Sequence, residues 1–337
     1  MRRPAVHKAA AAALLLAAAG SSAAPPAGQD AYASGQVKVD VGDRKLNMYC
    51  MGKGSPTVLF EADGGRAGWD WSAVQPEVAR RTRACVYDRA GMGFSDPATR
   101  AATVANATKD LHFMLKNARM DGPYVLVGAG FGAMIAQQFA ARGRGNVAAL
   151  VLVEPPADEE LAAAAGASAG AAGSAGTAAN ANTGGVPQPQ ASAAALAAAL
   201  DVALACLDAA SSGNIAAAPA CAYAPGGETG PRLAAAQAAQ VGRPAYWRSR
   251  ASEIDNLAAG ASQLRAARKT FGDTPLVVLT REQSAQVAAA QQLAALSTRG
   301  STVAVPVAVP DPRQSILSTR PEAVVGAVMG VLDRQPP

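Results

Sequence analysis

In the stretch Tyr124-Val125-Leu126-Val127-Gly128-Ala129-Gly130-Phe131-Gly132-Ala133, a buried strand is followed by a glycine turn and a helix. In a Gly-x-Ser-x-Gly turn of this kind, a serine is held on strained backbone and exposed for attack on a carbonyl. The central position here is Gly130, which has no nucleophilic atom. Serine chemistry also needs a base, and an acid to orient that base. The chain has two histidines. His7 lies in the N-terminal leader, and His112 lies in a predicted helix, where it reads as a solvated or helix-packing side chain. Glu154 ends the strand after the glycine-turn helix, and Glu282 follows a later strand, so both are candidate acids. With no histidine to orient, neither has that role, and Glu154 reads more simply as a polar strand end. Ser95, without a neighbouring base, reads as a loop support.

The same residues admit a different chemistry. Gly128-x-Gly130-x-x-Ala133, after a strand and opening a helix, fits the dinucleotide fingerprint, and Glu154 stands where an acid would meet a ribose. A pyrophosphate would then rest on the helix N-terminus, approached closely because glycine has no side chain. A bound nicotinamide or flavin nucleotide would be the partner.

The chain around this stretch has 337 residues, half of them hydrophobic and only 4% aromatic, so its core is built largely from small side chains. Arg2, Arg3 and Lys8, an Ala/Leu run over 9–19 and Ser21-Ser22-Ala23-Ala24 have the order of an export signal over 1–24. The run is short for a bilayer, which needs roughly 20 residues. The leader holds three bases and no acid, so the net charge of +5 falls to +2 without it. No dense basic patch remains, which argues against a nucleic-acid partner. Cys50, Cys85, Cys206 and Cys221 are an even set, consistent with disulfides after export, and spacing alone leaves three pairings open.

Alternation over 36–41 and 45–50 around Gly42-Asp43-Arg44 predicts a hairpin. Apolar strands follow at 56–60, 84–87, 124–128 and 147–153, with helices over 72–81 and 103–118 and after Gly130. Buried strands alternating with helices predict a mostly parallel sheet with helices on both faces. Residues 161–200 carry no charged side chain, and 161–190 read as a flexible segment. Helical character returns over 191–268. A strand at 275–280, a helix over 284–296, a strand at 303–309 and a helix over 321–332 close the chain. Trp69, Trp71 and Trp247 read as packing residues, and the Asn106-Ala107-Thr108 sequon falls in a predicted helix, where it is incidental.

These motifs, in this order, resemble the α/β-hydrolase fold family, especially exported bacterial members. They are Leu46-x-x-Tyr49-Cys50-x-Gly52-x-Gly54-x-Pro56, the glycine loop after Phe60, the run from Tyr87 to Asp96, Gly122-Pro123-Tyr124-Val125-Leu126-Val127-Gly128, and Arg320-Pro321-Glu322-Ala323-Val324-Val325. The resemblance covers 36–156 and 270–334 and makes 157–269 a helical cap insertion. It implies the pairings Cys50–Cys85 and Cys206–Cys221. It places the lost nucleophile at Gly130 and the lost histidine at Gln314, whose amide is no base. It also implies an oxyanion hole from the backbone N–H groups of Phe131 and of the Asp63-Gly64 loop, with Asp63 opposing an anion if it points inward.

The expectation is therefore a non-catalytic member of this fold that binds a small acyl- or carbonyl-bearing ligand without a cofactor, metal or stable membrane insertion. A dinucleotide-dependent oxidoreductase and a structural or protein-interaction role are the alternatives.

Overall fold

A computed structural model describes residues 28–143, 146–157, 193–224, 229–268, 270–284, 286–307 and 315–335. The leader, the segment expected to be flexible and Gln314 lie outside the described residues.

Eight strands form one sheet: β1 (Val37–Asp40), β2 (Lys45–Met51), β3 (Thr57–Glu61), β4 (Ala84–Tyr87), β5 (Tyr124–Ala129), β6 (Val147–Val153), β7 (Leu276–Arg281) and β8 (Gly300–Val305). Their order is β1-β2-β4-β3-β5-β6-β7-β8. The pairs β1/β2 and β2/β4 are antiparallel, and the others are parallel. The central strands β3, β4 and β5 are buried throughout, which explains their continuous apolar runs. The final strand is exposed along most of its length and starts at Gly300, earlier than its apolar residues predict. As an edge strand it has no second apolar face to fill, and it stops before Pro306, which has no N–H for a ladder.

The helices are α1 (Gln75–Ala79), α2 (Val104–Asn117), α3 (Phe131–Arg142), α4 (Ala193–Ser211), α5 (Pro231–Val241), α6 (Pro244–Asp255), α7 (Leu257–Ala267), α8 (Val287–Ala294), α9 (Ile316–Thr319) and α10 (Pro321–Leu332). Thr103 caps α2 by accepting the Asn106 N–H at 3.0 Å. The expected helix over 72–81 is shorter, because a 3₁₀ turn, Gly68–Trp71, takes the preceding residues and Pro76 opens the first turn of α1.

Side-chain alternation divides the core between the two faces. Val58, Phe60, Val125 and Val127 pack with α1, α10 and the inserted helices α4, α5 and α6. Leu59, Leu126, Leu150 and Leu152 pack with α2, α3, α7 and α8. Thus α7, although inside 157–269, covers the sheet beside α2 and α3. Trp69, Trp71 and Trp247 are buried in the first cluster. Helix α4 is apolar over 194–211, long enough by length and composition to cross a membrane, yet it lays Ala199, Ala203 and Cys206 against this core.

Two disulfides tie the fold. Cys50 and Cys85 are direct partners in the β2/β4 register, and Cys206 of α4 is bridged to Cys221. Both are the pairings that the family resemblance implies.

Candidate functional site

The sheet order places β4 and β5 on opposite sides of β3, so the carboxyl ends of β3 and β5 meet at the switch point where an α/β sheet of this kind places its site. The Asp63-Gly64-Gly65 loop leaves β3 there, and Gly130 leaves β5. Gly130 has φ 48° and ψ −116°, the strained turn the sequence predicts, and it is the N-cap of α3. The flanking glycines have packing reasons. A Cβ on Gly128 would lie 2.6 Å from the Gly132 carbonyl, and one on Gly132 would lie 2.6 Å from the Ala62 carbonyl. The Gly-x-Gly-x-Gly spacing is therefore what lets α3 start tight against β3 and β5.

Asp63 points inward. Its Oδ1 accepts the Phe131 N–H at 2.8 Å and the Gly64 N–H at 2.6 Å. These are the two donors expected to form an oxyanion hole, and both are taken by one carboxylate oxygen of the same chain. The three atoms nearest to a Cβ built on Gly130 all belong to the Asp63 carboxylate, and even Oδ2 would be only 2.6 Å away. A side chain on residue 130 would therefore require this carboxylate to move aside. Burial pushes the Asp63 carboxyl up to about 6, against the Phe131 and Gly64 hydrogen bonds and the charges of Arg250 and Arg66, which favour the anion.

A charged lattice surrounds this contact. Arg89 donates to the Ala62 and Asp63 carbonyls at 2.6 Å each, lies over the Phe131 ring and pairs with Glu253 at 2.9 Å. Glu253, on α6, also accepts the Gly65 N–H at 2.6 Å. Arg250, one turn earlier, lies against Gly64 and Gly65, where any Cβ would strike it. Arg66 pairs with Asp70 at 3.4 Å, and Asp70 accepts from the Tyr223 hydroxyl at 3.1 Å. Beneath the loop, Glu61 is fully buried and accepts the Tyr87 hydroxyl at 2.9 Å, while its Oε1 has no partner among the described residues. Burial pushes the Glu61 carboxyl up to about 8, opposed by Arg89 and Tyr87.

The other sequence candidates are not brought here. Glu154, with φ 47°, accepts from Arg281 Nε at 2.6 Å and from the Ile316 N–H at 2.7 Å, tying β6 to β7 and to α9. Glu282 is exposed after β7, and His112 is exposed on α2 beside Phe113. Ser95 donates to the Asp88 carbonyl at 2.6 Å and accepts the Asn47 N–H at 2.8 Å, as a loop support should. The dinucleotide reading meets a direct obstacle, because the α3 N–H that would receive a phosphate already holds a carboxylate.

Sequence reasoning missed Arg250 and Glu253. Their signal was present in the charged run Arg248 to Asp255, which is unusual in so sparsely charged an insertion.

Residues 56–200 match the protein family described as alpha/beta hydrolase fold. The chain has the α/β-hydrolase fold. Solved structures of this fold align over most of the chain at low identity. The haloalkane dehalogenase DatA from Agrobacterium tumefaciens C58 is 15% identical, with 88% of this chain and 96% of that one covered and a TM-score of 0.61. The epoxide hydrolase CorEH is 16% identical, covering 88% and 98%, also with a TM-score of 0.61. Among curated proteins, the uncharacterized YqjL of Bacillus subtilis is 29% identical over 104 residues, which is 31% of this chain and 41% of that protein. An uncharacterized Schizosaccharomyces pombe protein is 36% identical over 96 residues, 28% of this chain and 18% of that protein. The α/β-hydrolase-fold chain thus matches less than half the length of these curated relatives.

Proposed function

We propose that this protein is an exported, non-catalytic α/β-hydrolase-fold homologue whose former reaction site is filled by its own Asp63. The observation that carries this reading is the Asp63 carboxylate lying on the Phe131 and Gly64 N–H groups, in the space beside a Gly130 that has no side chain. A serine hydrolase needs a nucleophile at that turn and free N–H donors beside it. Here the turn has no side chain, and the Phe131 and Gly64 donors are engaged. The sequence further offers Gln314 where the fold family places its histidine. Partial triads retain little activity, because nucleophile and base act as a unit.

Export is supported by the order of basic, apolar and small residues over 1–24 and by the two disulfides. Fusing residues 1–30 to a reporter active only outside the cytoplasm tests this part, and a silent fusion refutes it.

The catalytic part is tested with the purified protein. No fluorophosphonate labelling is expected, and no turnover of short p-nitrophenyl esters above a heat-killed control. Because solved neighbours are named as an epoxide hydrolase and a haloalkane dehalogenase, styrene oxide and 1-bromobutane belong in the same assay. Sustained turnover of any of them overturns the reading.

A carbonyl using the Phe131 and Gly64 donors must first displace Asp63.

A further inference from the structure

We infer that this protein has a small-molecule site away from the elbow, in a cavity between α7 and α8, and that the site takes a small organic monocarboxylate. The inference does not depend on whether the elbow is reactive.

The cavity has a volume of about 260 Å³ and lies at the carboxyl ends of β6 and β7, beside Pro155 and Pro156. It is on the sheet face that α3, α7 and α8 cover. None of Asp63, Gly64, Gly130 and Phe131 except as distant neighbours belongs to it, because its lining comes from the β6 loop, α7, β7 and α8. An engineered apolar cavity of about 150 Å³ holds benzene, so this one has room for a ring or a short chain with a carboxylate attached.

Three observations set the chemistry of the ligand. The lining carries two positive charges, Arg265 in the last turn of α7 and Arg268 just past it, and no acidic side chain. Arg268 donates from Nη1 to the Gln137 amide oxygen on α3, which anchors it in the cavity wall. A guanidinium has five N–H donors, so an arginine held by the fold can still receive a carboxylate, and its planar fork matches that group. Thr280 supplies a hydroxyl. Strand alternation puts its side chain on the same sheet face as Leu276 and Val278, it is 2% exposed, and its hydroxyl has no partner among the described residues. A buried polar group without a partner costs free energy, and a ligand oxygen on Thr280 would remove that cost. Finally, Leu293 and Leu296 give the lining an apolar part. That suits a hydrocarbon body on the anion, rather than phosphate or sulfate.

Sodium benzoate and sodium hexanoate are the probes. Both should raise the thermal midpoint of the wild-type protein saturably, shifting the folding equilibrium about tenfold at about ten times Kd. Benzyl alcohol, similar in size but uncharged, should bind about tenfold more weakly, because it makes no charge-assisted bond. Arg265 is exposed, so Arg265→Gln should fold and should weaken benzoate binding about tenfold. Ala289→Phe places a ring in the cavity from α8 and should abolish binding. Benzoate that binds no better than benzyl alcohol, that binds Ala289→Phe as well as wild type, or that gives no saturable response overturns the inference.

Should Ala289→Phe fail to fold, the wild-type protein still decides. Benzoate should move the Thr280 and Leu293 amide signals in a proton–nitrogen NMR titration and leave those of Gly64 and Phe131 in place. Movement at Gly64 and Phe131 instead would put the ligand at the elbow and overturn the inference.

Discussion

The Asp63 carboxylate occupies the space into which a side chain on Gly130 would point. The residues are 67 positions apart in sequence, yet each determines what the other can be. A side chain at 130 would displace the carboxylate, and the carboxylate holds the hydrogen bonds that a reacting oxygen would need.

This relationship makes a double-mutant prediction. Gly130→Ala alone should be strongly destabilising, combining backbone strain of about 1–3 kcal/mol at positive φ with overpacking of about 1–3 kcal/mol against Asp63. In an Asp63→Gly background the overpacking contribution should vanish while the strain remains. Urea unfolding of the four proteins measures the coupling. Additive costs would show that the two residues do not compete for one space.

On the proposed reading, introducing serine-hydrolase chemistry needs a change beyond residues 130 and 314. In Gly130→Ser with Gln314→His the serine meets the Asp63 carboxylate, which must swing off its two N–H donors, so turnover of p-nitrophenyl acetate should stay low. Adding Asp63→Gly frees the space and both donors. Burst kinetics on the triple variant, against the double variant, measures the difference, and equal activity in the two would show that Asp63 does not hinder residue 130.

Two raised carboxyls set a pH dependence. Asp63 is pushed up to about 6 and Glu61 up to about 8, so between about pH 4 and pH 8 the folded chain holds protons that the unfolded chain has released. Their contribution to stability is therefore full below about pH 4 and is lost as pH rises, with a slope of at most about 1.4 kcal/mol per pH unit for each group. Glu61→Gln keeps an acceptor for Tyr87 and should flatten the fall up to about pH 8. Asp63→Asn should flatten only its acidic part. Urea midpoints from pH 4 to pH 9 check both.

The Arg89–Glu253 pair joins the insertion to the loop beside the elbow with both side chains buried. Removing one partner of such a pair costs about 3–5 kcal/mol, because the other charge is left buried and uncompensated. Glu253→Ala should show that loss in urea unfolding, and Glu253→Gln a smaller one. A near-neutral Glu253→Ala would mean that the insertion is held mainly by its apolar contacts.

The disulfides close loops with sequence separations of 35 and 15. In the chain-entropy picture they contribute about 4 and about 3 kcal/mol. The pair of substitutions Cys50→Ser and Cys85→Ser should lower the thermal midpoint more than Cys206→Ser with Cys221→Ser. The native protein should take up iodoacetamide only after reduction.

Much of this protein was legible in its sequence. Continuous apolar runs mark strands buried on both faces, Thr103 and Pro321 mark helix starts, and the glycines at 128, 130 and 132 mark the turn. These signals are local, because each depends on backbone preference or on which faces of an element are buried. That Gly130 offers no nucleophilic atom was legible for the same reason, since it follows from residue type alone. What only the tertiary structure decided was the direction of Asp63, the burial of Glu61 and the convergence of Arg89, Arg250 and Glu253 on one loop. Those depend on β3 and β5 lying side by side in the sheet and on α6 folding back over their ends. A carboxylate that could have faced solvent was instead placed on two N–H groups from separate segments, a contact that no spacing along the chain encodes.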